Sequence, residues 1–271
     1  MVRPHWRRFV VYSNRPNAGS ADYTDVSSLL SLGRALLLSL DPRSSVHQRL
    51  DHDLATVASA CLKGPEGAQA ASAICKLLAE AFGSHILSFH ELHIFIKAVF
   101  RVQPIAALSA LLQSPPDHGT AYPTILSMFE DFSELHRNPI GEVEDDIVLE
   151  WCARDPARNF AAAATSVSYS RTGPEGGGLI WTDLAQTMLE QAPEPRNVLA
   201  SFVARFQPHS WSGSRAAIIE ANTALLVSVE SSTHDDLAML ARQERQRLLE
   251  ECRSERRWES EMSRRDDERF E

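Results

Sequence analysis

The sequence predicts an all-α protein: a HEAT-like α-solenoid of stacked antiparallel helix pairs, ending in a long charged C-terminal helix. Three observations predict it. First, turn signals recur at nearly constant spacing. Pro116, Pro156 and Pro195 stand 40 and 39 residues apart, and a further 39 reaches His234, in the polar break Ser231-Ser232-Thr233-His234-Asp235-Asp236. Second, an apolar run precedes each break: Ile105–Leu112, Ile147–Cys152, Leu184–Ala192 and Ala216–Val229. Third, the composition turns abruptly to arginine and acid from Ala241, while Leu237, Leu240, Leu248, Leu249 and Cys252 keep an apolar stripe. Two helices in about 40 residues is the spacing of HEAT-like repeats. Such pairs cannot bury their apolar faces alone and stack on their neighbours. The residues around the prolines are not strongly self-similar. The competing description is an irregular helical domain with a proline turn about every 20 residues.

This layout gives three segments: an irregular basic arm over 1–24, a helical-repeat domain over 25–240 and a charged helix over 241–271. Pro4, Pro16, Asn17 and Gly19 break any helix in the arm, whose one apolar run is Phe9–Tyr12. Thr24 or Asp25 can cap the next helix, which runs to about Leu40. His47–Leu62 carries Leu50, Leu54, Val57, Ala58 and Cys61 three and four apart, one helix face. Pro65 suits the first turn of an alanine-rich helix over Glu66–Phe82, and Gly83 suits its end. His90–Arg101 and Ile105–Gln113 form a pair broken at Pro104. After the loop at Pro115-Pro116, Pro123–His136 is helical, with Ile125, Leu126, Met128, Phe129, Phe132 and Leu135 inward.

Arg171–Gly178, with its Gly176-Gly177-Gly178 run, reads as a flexible connector. A phosphate-binding loop needs Gly-Lys-Ser/Thr opening a helix after a strand, and neither feature is present. Thr182 caps Asp183–Gln191, and Val198–Phe206 is its partner helix. Ser212 or Ser214 caps a helix over Arg215–Val229, with Trp211 anchoring the preceding turn into the helical stack.

Charge is unevenly placed. The chain has a net charge of -9, and residues 117–150 hold nine acids against Arg137 alone. That acidic stretch repels nucleic acid, and no basic, aromatic-studded surface stands against it. Within it Glu142, Glu144, Asp145 and Asp146 lead into Ile147-Val148-Leu149-Glu150-Trp151. Acids in a first turn oppose the positive end of the helix dipole. A divalent metal site is the sharper alternative, but consecutive carboxylates on one turn point in different directions. Leu29–Leu40, the most apolar run, is too short to span a membrane and contains Arg34. No secretory h-region follows Arg7 and Arg8. Cys61, Cys75, Cys152 and Cys252 are scattered, without a CxxC pair, which fits reduced thiols in a cytoplasmic protein.

Chemical motifs are incomplete. His90-Glu91-Leu92-His93 places two histidines three apart, where zinc enzymes use His-Glu-x-x-His. His209 and Ser210 are adjacent and lack the Gly-x-Ser-x-Gly elbow. No cofactor-binding pattern, catalytic residue or metal ligand set is therefore assigned.

From Asn138 onward a resemblance is carried by four pieces. They are Asn138-Pro139-Ile140, Leu149-Glu150-Trp151-Cys152-Ala153-Arg154-Asp155-Pro156, Phe206 to Ile218 including Ser210-Trp211-Ser212-Gly213-Ser214-Arg215, and Glu255–Glu259 with Asp267–Glu271. Through them the chain resembles the C-terminal helical-repeat region of a group of bacterial proteins, some tied to defence against phage. The resemblance implies a helical stack and supplies no catalytic residue.

The expectation is a non-enzymatic scaffold or adaptor that binds another protein. The partner-binding candidates are Glu142, Glu144, Asp145, Asp146, Trp211, Arg215, Trp258 and Met262. Trp258 and Met262 lie one turn apart and offer the C-terminal helix a route to self-association. A regulatory or sensor component of an anti-phage system, and a hydrolase around His90, His93 or His209, are the alternatives.

Overall fold

The computed structural model describes residues 23–44, 50–87, 92–112, 138–208 and 211–270. Several expectations lie outside those residues: most of the arm, the helix over 123–136, the register point Pro116, and His47, His90, His209 and Ser210. Among the described residues the protein is mostly helical, with one small two-stranded sheet. The chain divides into two compact units, residues 1–154 and 155–271.

The first unit contains α1 (Tyr23–Leu38), α2 (Asp51–Cys61), α3 (Pro65–Gly83), α4 (His93–Val102), α5 (Pro104–Leu111), a 3-10 turn (Pro139–Glu142) and α6 (Asp145–Arg154). The helix expected from His47 is described from Asp51, and α1 begins at Tyr23, before the two expected caps. Helices two apart in sequence pack together: α2 on α4, and α3 on α5. Leu54, Val57, Ala58, Ile74, Leu78, Phe82, Phe95, Ile96, Val99 and Phe100 are buried between them.

Polar bonds fix this register. Asp51 reaches from α2 to the first turn of α4, where its carboxylate accepts from the backbone N–H groups of Ile94 (3.1 Å) and Phe95 (2.7 Å). It thus satisfies donors that a helix start leaves free. Gln103 Nε2 donates to the carbonyls of Leu62 (2.5 Å) and Gly64 (2.6 Å), tying the turn before α5 to the turn before α3. Gly64 holds a φ of 74°, which suits glycine. Trp151 on α6 is buried, and its indole N–H donates to Ser109 Oγ on α5 (3.0 Å).

The second unit contains α7 (Pro156–Ala164), β1 (Ser170–Thr172), a 3-10 turn (Pro174–Gly176), β2 (Leu179–Trp181), α8 (Asp183–Gln191), α9 (Pro195–Ala204), α10 (Arg215–Ala224), α11 (Leu226–Val229) and α12 (Asp235–Phe270). The Arg171–Gly178 stretch is not a plain connector. It is the arm and tip of an antiparallel hairpin pairing Ser170 with Trp181, Arg171 with Ile180 and Thr172 with Leu179. Ser170-Arg171-Thr172 has no apolar residue, so no strand period is visible in the sequence. Tertiary contacts hold the hairpin instead. Trp181 is buried, and its indole N–H donates to the Leu225 carbonyl (3.0 Å). The same carbonyl accepts from Ser228 Oγ (2.9 Å), and here the helix expected over Arg215–Val229 breaks into α10 and α11.

Tyr169, Trp181, Phe202 and Phe206 form an aromatic cluster with ring centroids 5.2–6.3 Å apart. Buried Arg205 lies with Cζ 5.0 Å over the Tyr169 ring. It donates to the carbonyls of Ala164 (3.0 Å) and Val167 (2.7 Å), at and just beyond the end of α7. A cation there opposes the negative end of the helix dipole. Asn222 links this layer to α10, accepting from Tyr169 Oη (3.2 Å) and donating to the Phe206 carbonyl (3.2 Å). α7 packs on α9, α9 on α12, and α10 and α11 on α12.

Candidate protein-interaction surface

The eight sequence candidates fall into two groups. Glu142, Glu144, Asp145 and Asp146 belong to the first unit; Trp211, Arg215, Trp258 and Met262 belong to the second.

The four acids do not share one role. Asp145 and Asp146 stand in the first turn of α6, as the dipole argument expects. The Glu144 carbonyl accepts the N–H groups of Ile147 (3.1 Å) and Val148 (3.2 Å) that open the helix. Glu142 sits apart, in the preceding 3-10 turn. Its carboxylate meets Lys97 Nζ (3.0 Å) and Arg101 Nε (3.1 Å) on α4. Burial works to raise this carboxyl, but bonds from Arg101 and Lys97 outweigh it and hold the group below the ordinary glutamate value. Glu142 therefore joins two elements, whereas Glu144, Asp145 and Asp146 are exposed.

In the second unit the structure brings Trp211 and Arg215 together, with the guanidinium 5.3 Å from the centre of the indole ring. Trp211 is not the expected anchor within the stack: it is 46 % exposed. Arg215 turns toward α12, meeting Glu255 at 3.0 Å and Glu251 at 3.8 Å. Ser214, not Ser212, caps α10: its Oγ accepts from the Ala217 N–H (3.1 Å) and donates to Glu259 (2.8 Å). Glu259 also accepts the Ala216 N–H (3.1 Å). That backbone bond first, and the Ser214 hydroxyl next, hold the Glu259 carboxyl below its ordinary value. Gln207 Nε2 completes the contact by donating to Glu251 (2.6 Å).

The acids that receive this turn are assigned no role by the sequence pattern. One signal was present. Glu251, Glu255 and Glu259 stand at i, i+4 and i+8, hence on one face of α12. Trp258 and Met262 remain 54 % and 37 % exposed, one turn apart near the end of the same helix.

A groove of about 600 Å³ lies between the starts of α9 and α12, lined by Glu194, Arg196, Asn197, His234, Asp236 and Leu240 among others. Among the described residues no three His, Cys, Asp or Glu side chains are placed to hold a metal ion. His93 Nδ1 lies 3.6 Å from Asp51, the residue that caps α4. No helix among the described residues is long and apolar enough to cross a membrane. No protein-family model, curated protein or solved structure matches this chain.

Proposed function

We propose that this chain is a non-enzymatic helical-repeat scaffold that binds another protein, with HEAT-like stacked helix pairs in each of its units. The repeat reading is supported by packing between helices two apart in sequence, α2 with α4, α3 with α5 and α7 with α9. It is also supported by spacing. Pro65 and Pro104 begin α3 and α5, 39 residues apart; Pro156 and Pro195 begin α7 and α9, again 39 apart; Asp235 begins α12 a further 40 on. Each proline occupies a first-turn position whose N–H has no helical partner to lose.

The binding reading is carried by one observation: Trp258 and Met262 are exposed one turn apart on a helix that is otherwise strongly charged there. Large apolar side chains at helical spacing form the contact by which a helix seats in a partner's groove. Exposed Glu144, Asp145 and Asp146 form a second contact, suited to a basic partner.

Affinity capture with the tagged full chain, followed by mass spectrometry, tests this. Trp258→Ala with Met262→Ala should weaken capture of the principal partner about thirtyfold, the scale of losing one interface hot spot. Glu144→Gln, Asp145→Asn and Asp146→Asn together should weaken a basic partner selectively at low salt. Undiminished capture by both variants would remove both contacts from the proposal.

A further inference from the structure

The way α12 is attached changes along its length. From Leu237 to Cys252 it is held by buried apolar side chains: Leu237, Ala238, Ala241, Leu248 and Cys252. Past Cys252 no apolar side chain described on this helix is buried. Its contacts there are polar and charged. Arg215 meets Glu255, Ser214 and the Ala216 N–H hold Glu259, and Arg256 pairs with Glu220 on α10. The ion pairs nearer the start, Arg245 with Glu230 and Arg247 with Glu244, lie beside the apolar stripe instead.

Three carboxylates at i, i+4 and i+8 repel one another within a helix. The counter-charge and donors that offset this repulsion come largely from outside the helix, from the turn and helix start around Gln207, Ser214, Arg215 and Ala216; Arg247 alone adds an ion pair to Glu251 from within it (3.4 Å). One guanidinium thus spans Glu251, beside the buried stripe, and Glu255, beyond it. The Arg256–Glu220 pair is exposed, and such pairs contribute only about 0–1 kcal/mol and are screened by salt, whereas the Arg215–Glu255 pair is part-buried and screened less.

We propose that the segment 253–270 is an electrostatic latch. It docks on the start of α10 at low ionic strength and releases as a unit, hinged near Cys252, when salt rises, while Asp235–Cys252 stays packed. Release removes together the bonds that Glu255 and Glu259 receive from Ser214, Arg215 and Ala216. The latch stands independently of the proposed binding role.

Hydrogen exchange on the intact chain, at about 0.02 M and about 0.6 M NaCl, reads this directly. Protection of the amides over 253–262, and of Ala216, should fall together by about tenfold or more at high salt, with 237–252 unchanged. Arg215→Glu should reproduce the released pattern at low salt. Adding Glu251→Arg and Glu255→Arg to it should restore docking. Protection over 253–262 that ignores salt would overturn the proposal, as would a loss spread evenly across 237–262. If Arg215→Glu does not fold, Glu259→Gln and the salt series on the unaltered chain decide between the same outcomes.

Discussion

At the scale of single residues, burial decides what the chemistry-bearing side chains can do. All four cysteines are free and buried. Burial pushes the Cys61 thiol up to about 11 and those of Cys75 and Cys152 up to about 12, and it raises Cys252 as well. The thiolate is the reactive form, so at about pH 8 the native thiols should react with an aromatic disulfide reagent about a hundredfold or more slower than in denaturant. A fast-reacting native thiol would contradict this burial. The same shifts fix the sign of an alkaline dependence. The folded values are raised, so the unfolded chain loses these protons first and stability falls as pH rises from about 9 toward 11 to 12. Denaturant midpoints on either side of pH 9 measure that fall. For the acids, partners matter more than position along the chain. Glu142 was legible as an acid near a helix start, but its partners Lys97 and Arg101 lie about 40 residues earlier, and no local pattern connects them.

At the scale of elements, helix starts were the most legible feature. Proline opens α3, α5, α7 and α9, and Thr182 caps α8 by accepting from the Ala185 N–H (3.2 Å). These signals act within one turn, so one sequence window contains both partners. The hairpin was not legible, because its strands are three residues long and held by Trp181 against a distant carbonyl. Gly67 shows how tertiary context reverses a local preference. In the first turn of α3, helix propensity favours alanine over glycine by about 1 kcal/mol. A Cβ there would lie 2.0 Å from the Leu62 carbonyl oxygen, which is backbone and cannot rotate aside. Gly67→Ala should therefore destabilise the protein by roughly 1–3 kcal/mol. Gly141→Ala, where a Cβ meets nothing within 4 Å, is the control and should be close to neutral. Chemical denaturation of the two variants checks both signs.

At the scale of the whole molecule, the chain has two cores. The second is built around Trp181, Phe202, Phe206, Ile219 and Leu248, with Arg205 Nη1 bonded to the carbonyls of Ala164 and Val167, and Asn222 to the Phe206 carbonyl and Tyr169. A unit with its own core and internal hydrogen bonds meets the physical condition for folding alone. Residues 155–271, expressed separately, should show a helical circular dichroism spectrum and one cooperative melt. A non-cooperative, weakly helical fragment would mean that this core needs the first unit. The boundary at Arg154/Asp155 coincides with a proline turn that the sequence displays, but nothing there distinguishes it from the equivalent turn at Glu194-Pro195 inside the second unit.

The sequence alone determined the helical class, most helix starts, the apolar faces and the charge break that marks the last helix. Each of these depends on residues within one or two turns of each other, where periodicity and capping act. Only the tertiary structure decided that Glu251, Glu255 and Glu259 receive the Ser214-Arg215 turn, that Asp51 caps a helix begun more than 40 residues later, and that Trp211 lies exposed beneath Arg215. Those pairings join charges and donors across long stretches of chain. Which partners meet depends on how the intervening helices stack.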